Sequence, residues 1–84
     1  MAQNNLGEQY EDGRGVPKDF RKAAELYQKA ADQGYATAQR HLGWLYQNGL
    51  GVPKDLGKAT ELYQKAANQG NPNAIANLKR LSQH

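Results

Sequence analysis

Gly13-Arg14-Gly15-Val16-Pro17-Lys18-Asp19 returns as Gly49-Leu50-Gly51-Val52-Pro53-Lys54-Asp55, with only the second residue changed. The match extends outward on both sides. Ala2, Gln3, Leu6, Gly7 and Tyr10 return as Ala38, Gln39, Leu42, Gly43 and Tyr46. Downstream, Lys22-Ala23, Glu25 through Ala31 and Gln33-Gly34 return as Lys58-Ala59, Glu61 through Ala67 and Gln69-Gly70. Self-similarity at a period of about 36 residues predicts a solenoid, in which each unit hides its apolar face against a neighbour.

Each residue of the repeated stretch has a conformational task. Gly13 and Gly15 accept positive φ without steric cost, so a helix can end and the chain reverse within a few residues. Pro17 holds Val16 extended, which turns the valine back between two helices as a wedge. Asp19 is placed to cap the next helix, its charge favoured by the helix dipole. A phosphate cradle is the wrong reading, because a P-loop needs Gly-x-x-x-x-Gly-Lys-Ser/Thr after a strand.

The chain has 84 residues, no cysteine and a formal charge of +3. That is one small domain near the lower limit for an unstapled core. Without cysteine there is no disulfide framework, thiol nucleophile or thiolate metal site, and a reducing, cytoplasmic location is the expectation. No apolar run is long enough for a membrane span, and no charged-then-apolar segment reads as a signal peptide. The basic residues are interleaved with acids and form no block, so a nucleic-acid partner is not expected.

Apolar spacing predicts a first helix over Gln3 to Asp12, with Ala2, Leu6 and Tyr10 on one face. Gly7 on that face costs about 1 kcal/mol of helix propensity, which points to close approach of a partner helix. The second helix starts after Asp19, carries the stripe Phe20, Ala23, Ala24, Tyr27, Ala30 and Ala31, and ends at Gly34. Glu25 precedes Lys29 by four residues, the favourable order for an ion pair. The second unit repeats this plan from Ala38, with a long helix from Asp55 to Gln69. Gln9 becomes Leu45 and Asn5 becomes His41, as expected if these positions are exposed in the first unit and covered in the second. Gly57 in place of Arg21 should loosen the start of that helix. Asn71-Pro72 reads as a cap and first helical residue, followed by Ala74, Leu78 and Leu81 on one stripe. Lys79 and Ser82 stand where the earlier units have glycine and tyrosine, so this segment reads as a capping helix. The expected architecture is all-α: two helix hairpins (residues 2–37 and 38–73) and a capping helix (residues 74–84), five helices in one domain.

The motifs Ala-Gln-x-x-Leu-Gly-x-x-Tyr, Gly-x-Gly-Val-Pro-Lys-Asp and Lys-Ala-x-x-x-Tyr-x-Lys-Ala-Ala-x-Gln-Gly resemble the Sel-one-like repeat (SLR), a relative of the tetratricopeptide repeat. The resemblance covers essentially the whole chain. It implies an α/α superhelix in which the first helix of each pair lines a concave surface and the second lies on the convex side. It also implies adaptor or scaffold roles, as in bacterial envelope, host-interaction and signalling complexes and in eukaryotic protein degradation. Some bacterial members are secreted with a disulfide in each repeat, and this chain departs from them in having no cysteine.

Carried over position by position, the concave face would present Asn4, Glu8, Glu11 and Asp12 from the first unit. The second unit would add Thr37, Arg40, Trp44, Gln47 and Asn48, and the cap Asn73 and Arg80. Trp44 is the sole tryptophan, stands where the first unit has Glu8, and follows Arg40 by one turn. Tryptophan and arginine are the residues most enriched at binding hot spots. The alternative for Trp44 is packing on its own repeat over Leu50 or Tyr46. Tyr10, Tyr27, Tyr46 and Tyr63 recur with the period and are assigned to packing.

His41 has no second histidine or suitably spaced carboxylate as a co-ligand, so no metal is expected there. Glu8, Glu11 and Asp12 read as a solvated cluster with no reason for perturbed pKa values. Ser82 and the two threonines lack a histidine within helical reach, and no Ser-x-x-Lys is present. The expectation is therefore a non-catalytic module without cofactor, binding a peptide or partner protein in its groove. Two further readings stay open: self-association through open repeat ends, since solenoids usually need about three units, and a fragment or consensus repeat without a ligand of its own.

Overall fold

The structure, a computed structural model, describes residues 2–82, with side chains described from Leu6 onward. Five helices follow one another: α1 (Ala2–Asp12), α2 (Phe20–Asp32), α3 (Ala36–Asn48), α4 (Leu56–Asn68) and α5 (Pro72–Ser82). Each packs mainly on its neighbours in sequence, so α1/α2 and α3/α4 form antiparallel hairpins and α5 closes onto α4. No described residue is in a strand.

The two turns are built alike, as their shared sequence requires. Tyr10 O accepts the Asp19 amide at 2.8 Å and Tyr46 O accepts the Asp55 amide at 2.9 Å, which ties each hairpin across its turn. Asp19 and Asp55 are extended, and each carboxylate accepts from the amide three residues on, at 3.1 and 3.0 Å. Such side-chain caps satisfy a donor that the helix cannot, worth about 1 kcal/mol each. Asn71 Oδ1 does the same for the Ala74 amide at 2.9 Å, with Pro72 as the first helical residue. Val52 of the second turn packs against the core, and Val16 of the first is half-buried.

The core follows the apolar stripes. Ala23, Tyr27, Ala30, Ala38, Leu42 and Leu45 are fully buried between the units, and Ala59, Tyr63 and Ala66 repeat the pattern further on. Leu45 is wholly enclosed whereas Gln9, its counterpart in the first unit, is exposed. Leu26 is also buried, although it lies off the predicted stripe. The helical glycines mark the tightest approach: a Cβ on Gly7 would stand 2.7 Å from Tyr27 Cε1, and one on Gly43 3.0 Å from the Tyr63 ring. The lost propensity is thus offset by a tyrosine laid flat against the backbone. At the third such position Lys79 is exposed.

One predicted surface contact is corrected. Glu25 lies 3.8 Å from Lys22 rather than pairing with Lys29, because both side chains are well exposed and the nearer turn offers a cation at i−3. Exposed pairs of this kind contribute little to stability.

Candidate functional site

Two seams separate the first helices of successive units, and they are built from the same repeat positions with different residues. At the α1/α3 seam, His41 lies against the first unit. Its ring stacks on Tyr27 at 4.9 Å between centroids, Nε2 is 3.4 Å from Glu8, and Nδ1 is 3.9 Å from Glu11. Arg40 Nη2 also reaches His41 Nε2, at 3.0 Å. Tyr27 donates its hydroxyl to Glu11 at 3.2 Å. The seam is filled.

This corrects two expectations. Glu8 and Glu11 are engaged by the neighbouring unit rather than free on a solvated helix end. Burial works against ionisation of Glu11, but hydrogen bonding and charge from His41, with help from Tyr27 and Arg40, outweigh it and hold its carboxyl below the ordinary value. Carboxylates do face His41, supplied by α1 rather than by its own helix. Among the described residues no group of three or more His, Asp or Glu side chains is arranged to hold a metal ion.

At the α3/α5 seam the corresponding space is open. A recess of about 260 Å³ is lined by Arg40, Trp44, Asn73, Ala76, Asn77 and Arg80. Trp44 borders the recess and keeps 37% of its surface exposed. Arg40 Nε is buried without a hydrogen-bond partner. Neither Arg40 nor Arg80 has a carboxylate within ion-pair distance among the described residues. Below the recess Tyr63 donates to Gln47 at 2.7 Å, the counterpart of the Tyr27–Glu11 bond. Burial pushes the Tyr63 hydroxyl up to about 12, with Arg40 and Arg80 pulling against it. The Tyr27 hydroxyl is pushed higher still, by burial and then by Glu11, Glu8 and Asp12.

Of the residues expected on the concave face, the structure brings Arg40, Trp44, Asn73 and Arg80 together. Thr37 is half-buried one turn before Arg40 and does not line the recess. Gln47 is occupied by Tyr63, and Asn48 donates to the Trp44 carbonyl at 2.9 Å. Asp12 pairs with Arg14 at 3.4 Å, at the far end of α1. The Asn4 side chain lies outside the described residues. Ala76 and Asn77 were missed, although they hold the repeat positions of Arg40 and His41 and that equivalence could have found them.

The Sel1 repeat family matches residues 1–35 and 36–71. Among solved structures, the chain is similar to a Sel1 repeat protein from Oxalobacter formigenes, at 41% identity and a TM-score of 0.92, covering 95% of this chain and 33% of that one. It is similar to c5321, a protective antigen of uropathogenic Escherichia coli strains with an SLR fold, at 38% identity and a TM-score of 0.86, over 87% of this chain and 16% of that one. Helicobacter pylori cysteine rich protein B matches at 35% identity and a TM-score of 0.82, over 88% and 56%. The chain thus spans from about a sixth to just over half of these relatives. No curated protein sequence matches it. Sel1 repeat proteins are generally protein-interaction modules and typically non-enzymatic scaffolds. Two matched units and a hairpin geometry shared over nearly the whole length decide the assignment: the chain belongs to the Sel1 repeat family.

Proposed function

We propose that the chain is a non-catalytic adaptor module that holds a peptide or partner surface in the recess between α3 and α5. The observation that carries this reading is the convergence of Arg40, Trp44, Asn73 and Arg80, drawn from two successive units, on one open recess. At about 260 Å³ it is smaller than the usual small-molecule pocket and open to solvent, a size suited to one or two side chains of a longer ligand. Tryptophan and arginine are both enriched among the residues that anchor such contacts.

A random peptide display library panned against the chain tests the proposal. Recovered peptides should lose at least about tenfold in affinity on Trp44→Ala, or ~1.4 kcal/mol, with an unchanged thermal melt. Peptides that bind Trp44→Ala and Arg80→Ala as well as the parent chain would move binding off the recess and sink the reading.

Self-association is the second reading. Ile75 is 40% exposed, and Leu78 and Leu81 line a separate recess of about 370 Å³ between α4 and α5. Molar mass by light scattering across a concentration series, with Trp44 emission recorded on the same samples, separates the two. A constant monomer mass removes self-association, whereas a growing mass with a blue-shifted emission favours it over the groove.

A further inference from the structure

Helices α3 and α5 bring Arg40 and Arg80 to the recess and carry not one carboxylate, whereas α1 alone carries Glu8, Glu11 and Asp12. The face formed by the first helices is therefore polarised, with its cationic end at the open recess. There the two guanidiniums meet two carboxamides, Asn73 and Asn77, and one indole. Arg40 Nε is shielded from water and unbonded, so the guanidinium is incompletely satisfied in the free chain. A buried unmet donor is costly, and turning toward an incoming acceptor relieves it.

We infer that this recess receives an acidic peptide segment of a partner protein, a carboxylate lodging between Arg40 and Arg80 with an adjoining side chain on the Trp44 ring. The inference rests on the reading of the recess as the binding site and adds the chemistry of its ligand. Guanidinium pairs carboxylate through two parallel hydrogen bonds, stronger than neutral ones, and neither arginine has such a partner among the described residues. The tyrosine hydroxyls agree: burial raises both, but Arg40 and Arg80 pull Tyr63 back while Glu11 and Glu8 push Tyr27 further up.

Other polyanions fit less well. A nucleic-acid strand running along the groove would leave two arginines for the three acids of α1, and its phosphates would be repelled there. A second copy of this chain brings a net charge of +3, and its own acidic cluster is already occupied: Glu8 and Glu11 by His41, Asp12 by Arg14. A short acidic stretch meets neither obstacle.

Trp44, the sole tryptophan, serves as the reporter. The probes are a blocked nonapeptide of glutamate and glycine with one central leucine, its glutamine isostere, its lysine counterpart and an oligothymidylate. The glutamate peptide should shift Trp44 emission saturably, weaken at least about tenfold on Arg80→Gln, and weaken again between about 50 and about 300 mM salt. Lys65→Gln removes the same charge from exposed α4 and should change nothing; circular dichroism confirms that both variants fold. Equal binding of the glutamine isostere overturns the carboxylate inference and leaves the recess as the binding site. So does silence of the glutamate peptide at about 1 mM, if library peptides still depend on Trp44. Tighter binding of oligothymidylate through Arg80 overturns the choice of partner. Calorimetric binding of the glutamate peptide that is indifferent to both Trp44→Ala and Arg80→Gln overturns inference and recess together.

Discussion

Tyr27 and Tyr63 occupy the same position in successive units, both fully enclosed and both donating to a side chain on the preceding helix. The first meets Glu11 under a stacked His41, and the second meets Gln47 below an open recess flanked by Arg40 and Arg80. The scaffold is the same, yet one seam is closed by side chains of the chain itself and the other is left unfilled. Position-by-position substitution explains the contrast: Glu8 becomes Trp44 and then Arg80, and Asn5 becomes His41 and then Asn77. In a repeat fold the backbone supplies equivalent sites, and a few residue changes decide which becomes core and which becomes surface.

Apolar contact offers the largest test of that contrast. Leu45→Ala, at the enclosed junction, should cost about 3 kcal/mol, because the cavity cannot collapse between two packed units. Leu81→Ala, its half-buried equivalent on α5, should cost about 1 kcal/mol. Urea unfolding of both variants measures the difference, and equal losses would mean that the last helix is packed as firmly as an internal one.

Acid should separate the seams next. The Glu11 carboxyl is held below its ordinary value of 4.5 in the folded chain, so the folded state binds fewer protons than the unfolded state. Its contribution is present above that value and is lost as pH falls through the lower folded value. Glu11→Gln should therefore flatten the fall in melting temperature on the acid side, and Gln47→Glu should not steepen it to the same degree, there being no histidine opposite. An unchanged acid profile in Glu11→Gln would show that His41 does not hold the carboxylate.

The smallest effect lies in alkali. Both tyrosines ionise later when folded than unfolded, so their contribution is intact below pH 10 and lost as pH rises through the folded value, about 12 for Tyr63. Near-ultraviolet titration of the chain against Tyr63→Phe and Tyr27→Phe should show Tyr63 ionising first. Arg80→Gln should delay Tyr63 and leave Tyr27 in place. Coincident ionisation would remove the polarity of the concave face.

Much of this was legible in the residues. The period, the turns, the aspartate caps, the close helix approach at Gly7 and the covering of Leu45 all follow from local chemistry and from comparing one unit with the other. The fate of the acidic residues did not follow. Helical register places Glu8 and Glu11 on the concave side, but whether a side chain from the next unit reaches them depends on the step between units, which no single helix encodes. For the same reason His41 looked isolated on its own helix, and the part played by Asn77 emerged only once α5 was seen to leave its seam open.

Gln39 is buried, with its amide donating to the Ala31 carbonyl at 3.4 Å and its oxygen accepting from Gln69 at 3.0 Å. It bolts three helices together, so the bend from the first unit to the second is fixed by directional bonds that tolerate little rotation. At the next step the equivalent residue is Ile75, which has no donor to offer. The angle of α5 is therefore governed by non-directional apolar contact, the softer of the two restraints. Stiffness falls along the stack, and the compliant joint lies where the two walls of the recess meet, letting it adjust its width to what it holds.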